Sequence, residues 1–176
     1  LVRDLGAVLR SGRLMAIVLI SAGFWIIQSQ LYSSMPKYVL RIVGADASPE
    51  WYANINPITV TLLVVPLTHL ARKLPAIGSI AIAMVLIPIS ALLVAILPPI
   101  LGPVALPAAL RVGPFAHGGG ILHPVTVAMA LGIVVQGLSE CFLSPRYLEY
   151  ASRLAPPGKE ALYLGYSHLN NFFAWL

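Results

Sequence analysis

The chain has 176 residues, 59% of them hydrophobic and only 10% charged, with a mean hydropathy of +0.87. A soluble domain carries roughly a quarter charged residues, so this composition excludes a water-clothed globule. The net charge of +5 comes from scattered basic residues beside apolar runs, which excludes a basic nucleic-acid-binding face, and the lone Cys141 excludes a disulfide framework or a cysteine metal site.

Residues 1–11 carry Asp4 among basic residues and run into a long apolar stretch without a small-residue cleavage site, so no secretory signal is expected. Five apolar segments follow, at 14–39, 51–70, 75–97, 125–143 and 160–176, and each is expected to cross a membrane. The last would cover about 24 Å at 1.5 Å per residue, short of a hydrocarbon core of roughly 30 Å. With Leu1 rather than Met at the start, both ends read as cut. Residues 1–176 are thus expected to form a single transmembrane helical domain, all-α, from a larger integral membrane protein.

The first segment is interrupted near its middle by Trp25, Gln28, Ser29 and Gln30, and Trp25, Gln28 and Tyr32 share one helical face by spacing. The second opens on Asn54-Ile55-Asn56-Pro57, where Asn56 reads either as a helix N-cap or as an amide that bonds a polar substrate. Pro57, Pro66 and Pro88 lie inside apolar segments and favour kinks, which membrane helices tolerate where neighbours satisfy the freed carbonyls. A Pro- and Gly-rich loop, 98–124, with Gly118-Gly119-Gly120, separates the third segment from the fourth. His69, His117, His123 and His168 lack metal-ligand spacing, the glycine run lacks the Lys and helix of a phosphate loop, and Gly165-Tyr166-Ser167 is not a nucleophile elbow. No metal, no cofactor and no enzyme activity are expected.

The fourth segment carries Glu140, followed by Ser144-Pro145 as a helix-ending turn. A charge inside a bilayer costs at least a few kcal/mol, so an intramembrane acid usually faces a cavity or a partner. Glu140 lies roughly 8 Å from the segment's centre, and Gln136, one turn earlier, looks into the same space or glues helices together. Burial raises a carboxyl pKa and a nearby cation lowers it, so a carboxylate held between the two can load and release a proton. A buried salt bridge that fixes packing is the plainer alternative. The basic residues set the orientation. Arg3, Arg10, Arg13, Arg72, Lys73, Arg146, Arg153 and Lys159 fall on one face of five alternating spans, against Lys37, Arg41 and Arg111 on the other. The first face, with the N-terminal end, is expected to be cytoplasmic.

Three stretches carry a family resemblance: Phe24-Trp25-Ile26-Ile27-Gln28-Ser29-Gln30, Asn56-Pro57-Ile58, and Ser139-Glu140-Cys141-Phe142-Leu143-Ser144-Pro145. They resemble the seventh, eighth and tenth helices of the proton-dependent oligopeptide transporters of the major facilitator superfamily. There the motifs run approximately FWxxFEQ, NP before an apolar run, and E-x-x-x-SP-x-G-L. The loop ending in Leu154-Ala155-Pro156 is similar to the connection after the tenth helix. The resemblance implies a major-facilitator-type bundle, represented by helices 7 to 11 of the C-terminal half, with the N-terminal half missing. It matches Glu140 to the glutamate that binds a peptide's amino terminus, Asn56 to an asparagine near the same pole, and Ser144 to the motif serine. Ser29 stands where the family places its seventh-helix glutamate and carries no proton at physiological pH. Arg146-Tyr147 replaces the motif glycine, and the 98–124 loop is peculiar to this chain. A diverged member, or a relative with another substrate, is the better fit.

The expected function is therefore secondary active transport in a plasma membrane, by alternating access. It would be a proton-coupled uptake of di- or tripeptides or a related small polar solute. The expected substrate-binding residues are Glu140, Asn56, Ser144, Trp25, Gln28 and Gln136, with Glu140 the proton-coupling candidate. The expected partners are the lipid bilayer, the solute, protons and the missing half, with no nucleic acid and with a monomer as the working unit. A membrane-integral enzyme acting on lipid, or a ligand-binding module that moves nothing, is the alternative.

Overall fold

The computed structural model describes residues 6, 9–44, 47–105 and 121–176. Arg3, Asp4, Arg111, His117 and the Gly118-Gly119-Gly120 run lie outside the described residues. In chain order the elements are α1 (Gly12–Ser33), α2 (Met35–Ile42), α3 (Pro49–Ala71), α4 (Ala76–Ile100), β1 (Val104–Ala105), β2 (Ile121–Leu122), α5 (Pro124–Arg153), α6 (Glu160–Ser167) and α7 (Leu169–Ala174). The two short strands pair antiparallel and tie the end of α4 to the start of α5. Among the described residues, all other regular structure is helical.

Among the described residues four helices, α1, α3, α4 and α5, are long and apolar enough to cross a membrane, the make-up of a helical membrane bundle. The expected first span, 14–39, divides at Ser34. Pro36 has no N–H to give to the turn before it, and beside it Ser34 Oγ donates to the Gln30 side-chain Oε1 at 2.5 Å. The expected fifth span, 160–176, is two short helices broken at His168. Its polar side chains satisfy their own backbone: Ser167 Oγ donates to the Leu164 carbonyl at 2.7 Å and Asn170 Oδ1 accepts from the next N–H. Such local bonds compete with a continued helix.

Helix starts follow the sequence. Pro49 and Pro124 occupy first-turn positions whose N–H would have no intrahelical partner. Glu50 complements the dipole of α3, and His123 Nδ1 accepts from the Val125 N–H at 3.2 Å. The expected helix end at Ser144-Pro145 is corrected: α5 runs through Pro145 to Arg153.

α5 is the central helix. About half of its apolar window is buried (56%), against 11% for α3. α4 packs along its length and α3 along another side, α6 packs against it as well, and α1 touches it more lightly and carries α7. Lipid is as apolar as leucine, so close packing and polar contacts must hold the helices together. Two glycines permit that closeness. A Cβ at Gly132 would fall 2.9 Å from the Ser90 carbonyl of α4, and one at Gly137 would fall 2.9 Å from Thr59 Cγ2 of α3. One apolar cluster, with Leu14, Val18, Ile80, Ala83, Tyr147 and Ala151, fills the end of the bundle near the start of α1. A second, with Leu31, Val39, Tyr52, Met129 and Ile133, fills the other end. Ser139 Oγ donates to the Ala83 carbonyl at 2.8 Å, Tyr52 OH pairs with Thr126 Oγ1 at 2.9 Å, and Tyr147 OH donates to the Ser167 carbonyl at 2.6 Å.

Arg146 is likewise corrected from a loop charge to a buried anchor. Its Nη2 donates to the Ala71 carbonyl and, at 2.7 Å, to the Leu74 carbonyl, while Nη1 pairs with Glu149. The carbonyls at the end of α3 have no intrahelical donor and carry the negative end of the helix dipole, so a guanidinium fits them twice over.

Candidate functional site

The polar residues of three spans meet at Glu140. Gln28 comes from the middle of α1 and is buried; Asn56 comes from α3 and is buried; Glu140 comes from α5 and is half-buried. Gln28 Nε2 donates to Glu140 Oε2 at 2.9 Å, and Asn56 Nδ2 donates to the same oxygen at 3.1 Å. Asn56 lies two turns inside α3, which begins at Pro49, so the helix N-cap reading is set aside. Gln136 Nε2 reaches the Gln28 backbone carbonyl at 3.4 Å and braces the α1–α5 contact. It acts on the cluster through Gln28.

The reach of Asn56 depends on Gly137. The place where a Cβ would stand on Gly137 is 3.1 Å from Asn56 Oδ1 and 3.0 Å from Thr59 Cβ. Without a side chain at 137, α3 lies close enough for a short amide to touch a glutamate one turn further along α5. Glycine here serves closeness of approach.

The hydrogen-bond inventory of the cluster is lopsided. Glu140 Oε2 receives two amide donors, yet Gln28 Oε1 and Asn56 Oδ1 are buried with no partner. An orphaned buried acceptor costs about 1–3 kcal/mol, while interhelical hydrogen bonds within membranes average only about 0.6 kcal/mol. The two bonds to the carboxylate therefore do not offset two unfilled carbonyls. Two buried acceptors of the cluster are left open to a donor or a positive charge.

Trp25 and Ser144 are not among the side chains bonded to Glu140. They line a separate cavity of about 190 Å³ with Leu143, Tyr147, His168 and Asn171. Ser144 follows Glu140 by one turn of α5, so this cavity begins about 5–6 Å further along the same face. Trp25 packs edge-on against Phe24, with ring centroids 5.6 Å apart. Ser29 is buried and turned to its own helix, donating to the Ile26 carbonyl at 2.8 Å. Tyr32, expected on the face of Gln28, is exposed. Among the described residues no three His, Cys, Asp or Glu side chains converge on a point that would hold a metal.

Sequence reading overlooked Gly137, Thr59 and Arg146. Only Gly137 had a visible signal, as a glycine between two polar residues on an otherwise apolar helix. No family model, curated protein or solved structure matches the chain.

Proposed function

We propose that the chain forms part of a secondary active transporter, in which the Glu140–Gln28–Asn56 cluster binds a small polar solute and its coupling ion during alternating access. One observation carries this reading: a half-buried carboxylate held by amides from two other spans, beside two unfilled buried acceptors. A carboxylate placed there only to lock the helices would leave no acceptors empty. Both side chains bonded to Glu140 are amides, which orient a carboxylate but relay no proton to a reacting atom. That favours transport over catalysis on lipid. The solute class proposed is a di- or tripeptide or a similar amine-bearing molecule, whose ammonium matches the acceptors. This rests on the motif resemblance and on the charge of the site. The cavity with Trp25 and Ser144 lies where the remainder of such a solute would extend.

Glu140 is proposed to carry the coupling charge, since Ser29 offers no carboxyl and is engaged with its own helix. A second helical half is proposed to close the cavity, the setting a plasma membrane, and the N-terminal side of α1 cytoplasmic. The test is uptake of a labelled dipeptide into proteoliposomes holding the full-length protein, with and without an inward proton gradient. Gradient-driven accumulation in the wild type and its loss in a folded Glu140→Gln variant are expected. Wild-type accumulation by that variant would overturn the role of Glu140, and no movement in either condition would remove peptides as the solute.

A further inference from the structure

We infer that the Glu140 cluster, with its carboxylate ionised, is also a binding site for a small monovalent cation, with sodium as the ion that it takes in competition with the proton; the inference rests on reading that cluster as the coupling site. The terminal amides of Gln28 and Asn56 present their N–H groups to Glu140 Oε2 at 2.9 and 3.1 Å. Rotating either amide by half a turn exchanges its nitrogen and oxygen. The carbonyl oxygens would then stand near those same positions. Neither Gln28 Oε1 nor Asn56 Oδ1 gives up a hydrogen bond in that rotation, because each is buried without a partner. The cluster thus has two arrangements, and the one without a cation leaves both amide oxygens unfilled. Without a cation the amides turn their donors to the carboxylate. With a cation they turn two carbonyls to it, beside the carboxylate oxygen.

The donor set selects the ion. Three oxygens and one formal charge suit a hard monovalent cation, and the absence of sulfur or imidazole at the cluster gives no purchase to softer metals. Carbonyl oxygens brought by that rotation to the amide-nitrogen positions, 2.9 and 3.1 Å from Glu140 Oε2, would enclose a small ion more readily than a large one, so sodium is favoured over potassium. Gly137 keeps the cage tight by letting α3 lie against α5. Glu140 is half-buried, so water completes the coordination from its open side.

The test uses the full-length protein in lipid nanodiscs, with no organic solute present. Thermal unfolding is followed in sodium, potassium and choline chloride at equal ionic strength, and bound ²²Na⁺ is counted directly. A saturable rise in the midpoint with sodium is expected, with at least tenfold weaker half-saturation by potassium and no response to choline beyond ionic strength. Glu140→Gln should lose the sodium response. Asn56→Leu, which keeps the volume and removes the carbonyl, should weaken half-saturation at least tenfold, and it serves if the glutamine variant does not fold. Equal responses to the three salts, or an unchanged sodium response in both variants, would overturn the proposal. Sodium binding without dipeptide uptake would remove peptides as the solute and leave the ion site. Uptake without sodium binding would do the reverse.

Discussion

A single missing side chain decides whether Asn56 can reach Glu140. Alanine at 137 would bring a methyl group 2.9 Å from Thr59 Cγ2 and 3.1 Å from Asn56 Oδ1. In an unconstrained helix interior, Gly→Ala stabilises by about 0.5–1 kcal/mol. Here the neighbours are a stiff β-branched side chain and a buried amide, and overpacking of that kind costs about 1–3 kcal/mol. The clash wins. Gly137→Ala should lower the unfolding midpoint of the full-length protein in detergent and weaken solute binding together, because α3 must move off α5. Thr59→Ala in the same chain should restore part of the loss. Gly132→Ala should be worse for stability, since its obstacle includes the Ser90 carbonyl, which no rotamer change removes. An unchanged midpoint for both would show that the helices pack less closely than these contacts state. The polar members of the cluster were visible in the sequence because an amide or carboxylate in an apolar run stands out against hydrocarbon. Spacing along one helix tells which residues share a face, and it does not tell which neighbouring helix that face meets. The pairing of Gln28 with Glu140 and the exposure of Tyr32 therefore had no signal.

At the level of elements, proline and serine misled where a packed neighbour outweighed local preference. Pro145 removes a backbone donor, which costs about 3 kcal/mol in a water-exposed helix interior. In α5 the following turn carries Arg146, Tyr147 and Ala151, all buried against α3, α6 and the core near the start of α1. The packing of that turn holds the helix through the proline, and the charge that looked like a loop residue becomes a cap for α3. Truncating one member of a buried charged contact leaves its partners unpaired and costs about 3–5 kcal/mol. Arg146→Met should thus destabilise the protein by about 3 kcal/mol and expose the α3–α4 turn to trypsin at Arg72 or Lys73. Arg146→Lys, with no fork to span the Ala71 and Leu74 carbonyls, should fall in between. Glu149→Gln should cost much less, because Glu149 is half-exposed and part of its pairing is with the exposed Arg153. A protected turn and an unshifted midpoint in Arg146→Met would rule out the cap. At 160–176 the helix expected from composition divides at His168, and the Ser167 and Asn170 side chains on either side bond the local backbone.

For the whole molecule, helix lengths and end contacts fix a topology that labelling can test. α1, α3 and α4 have 22, 23 and 25 residues, about 33–38 Å at 1.5 Å each and enough for a hydrocarbon core of roughly 30 Å. α5, with 30 residues, exceeds it and carries Arg146, Glu149 and Arg153 on the turns beyond. Alternation places the start of α1, the 72–75 turn and the 154–159 loop at one end. The segment holding α2 and the strand pair lie at the other. The two apolar clusters divide the same way. Among the described residues the charge asymmetry read from sequence persists once Arg146 is counted as buried: Arg10, Arg13, Arg72, Lys73, Arg153 and Lys159 stand against Lys37 and Arg41. With Cys141 replaced by Ala, single cysteines at 73 and 159 should react with a membrane-impermeant maleimide from one side of sealed vesicles only. Cysteines at 37 and 102 should react only from the other side. The strongest arm is position 159. It follows a helix of span length and precedes two short helices, so its agreement with 73 depends on α5 crossing fully. Labelling of 159 from the side of 102 would mean that α5 dips into the bilayer and returns, and Glu140 would then sit at a re-entrant turn rather than within a span.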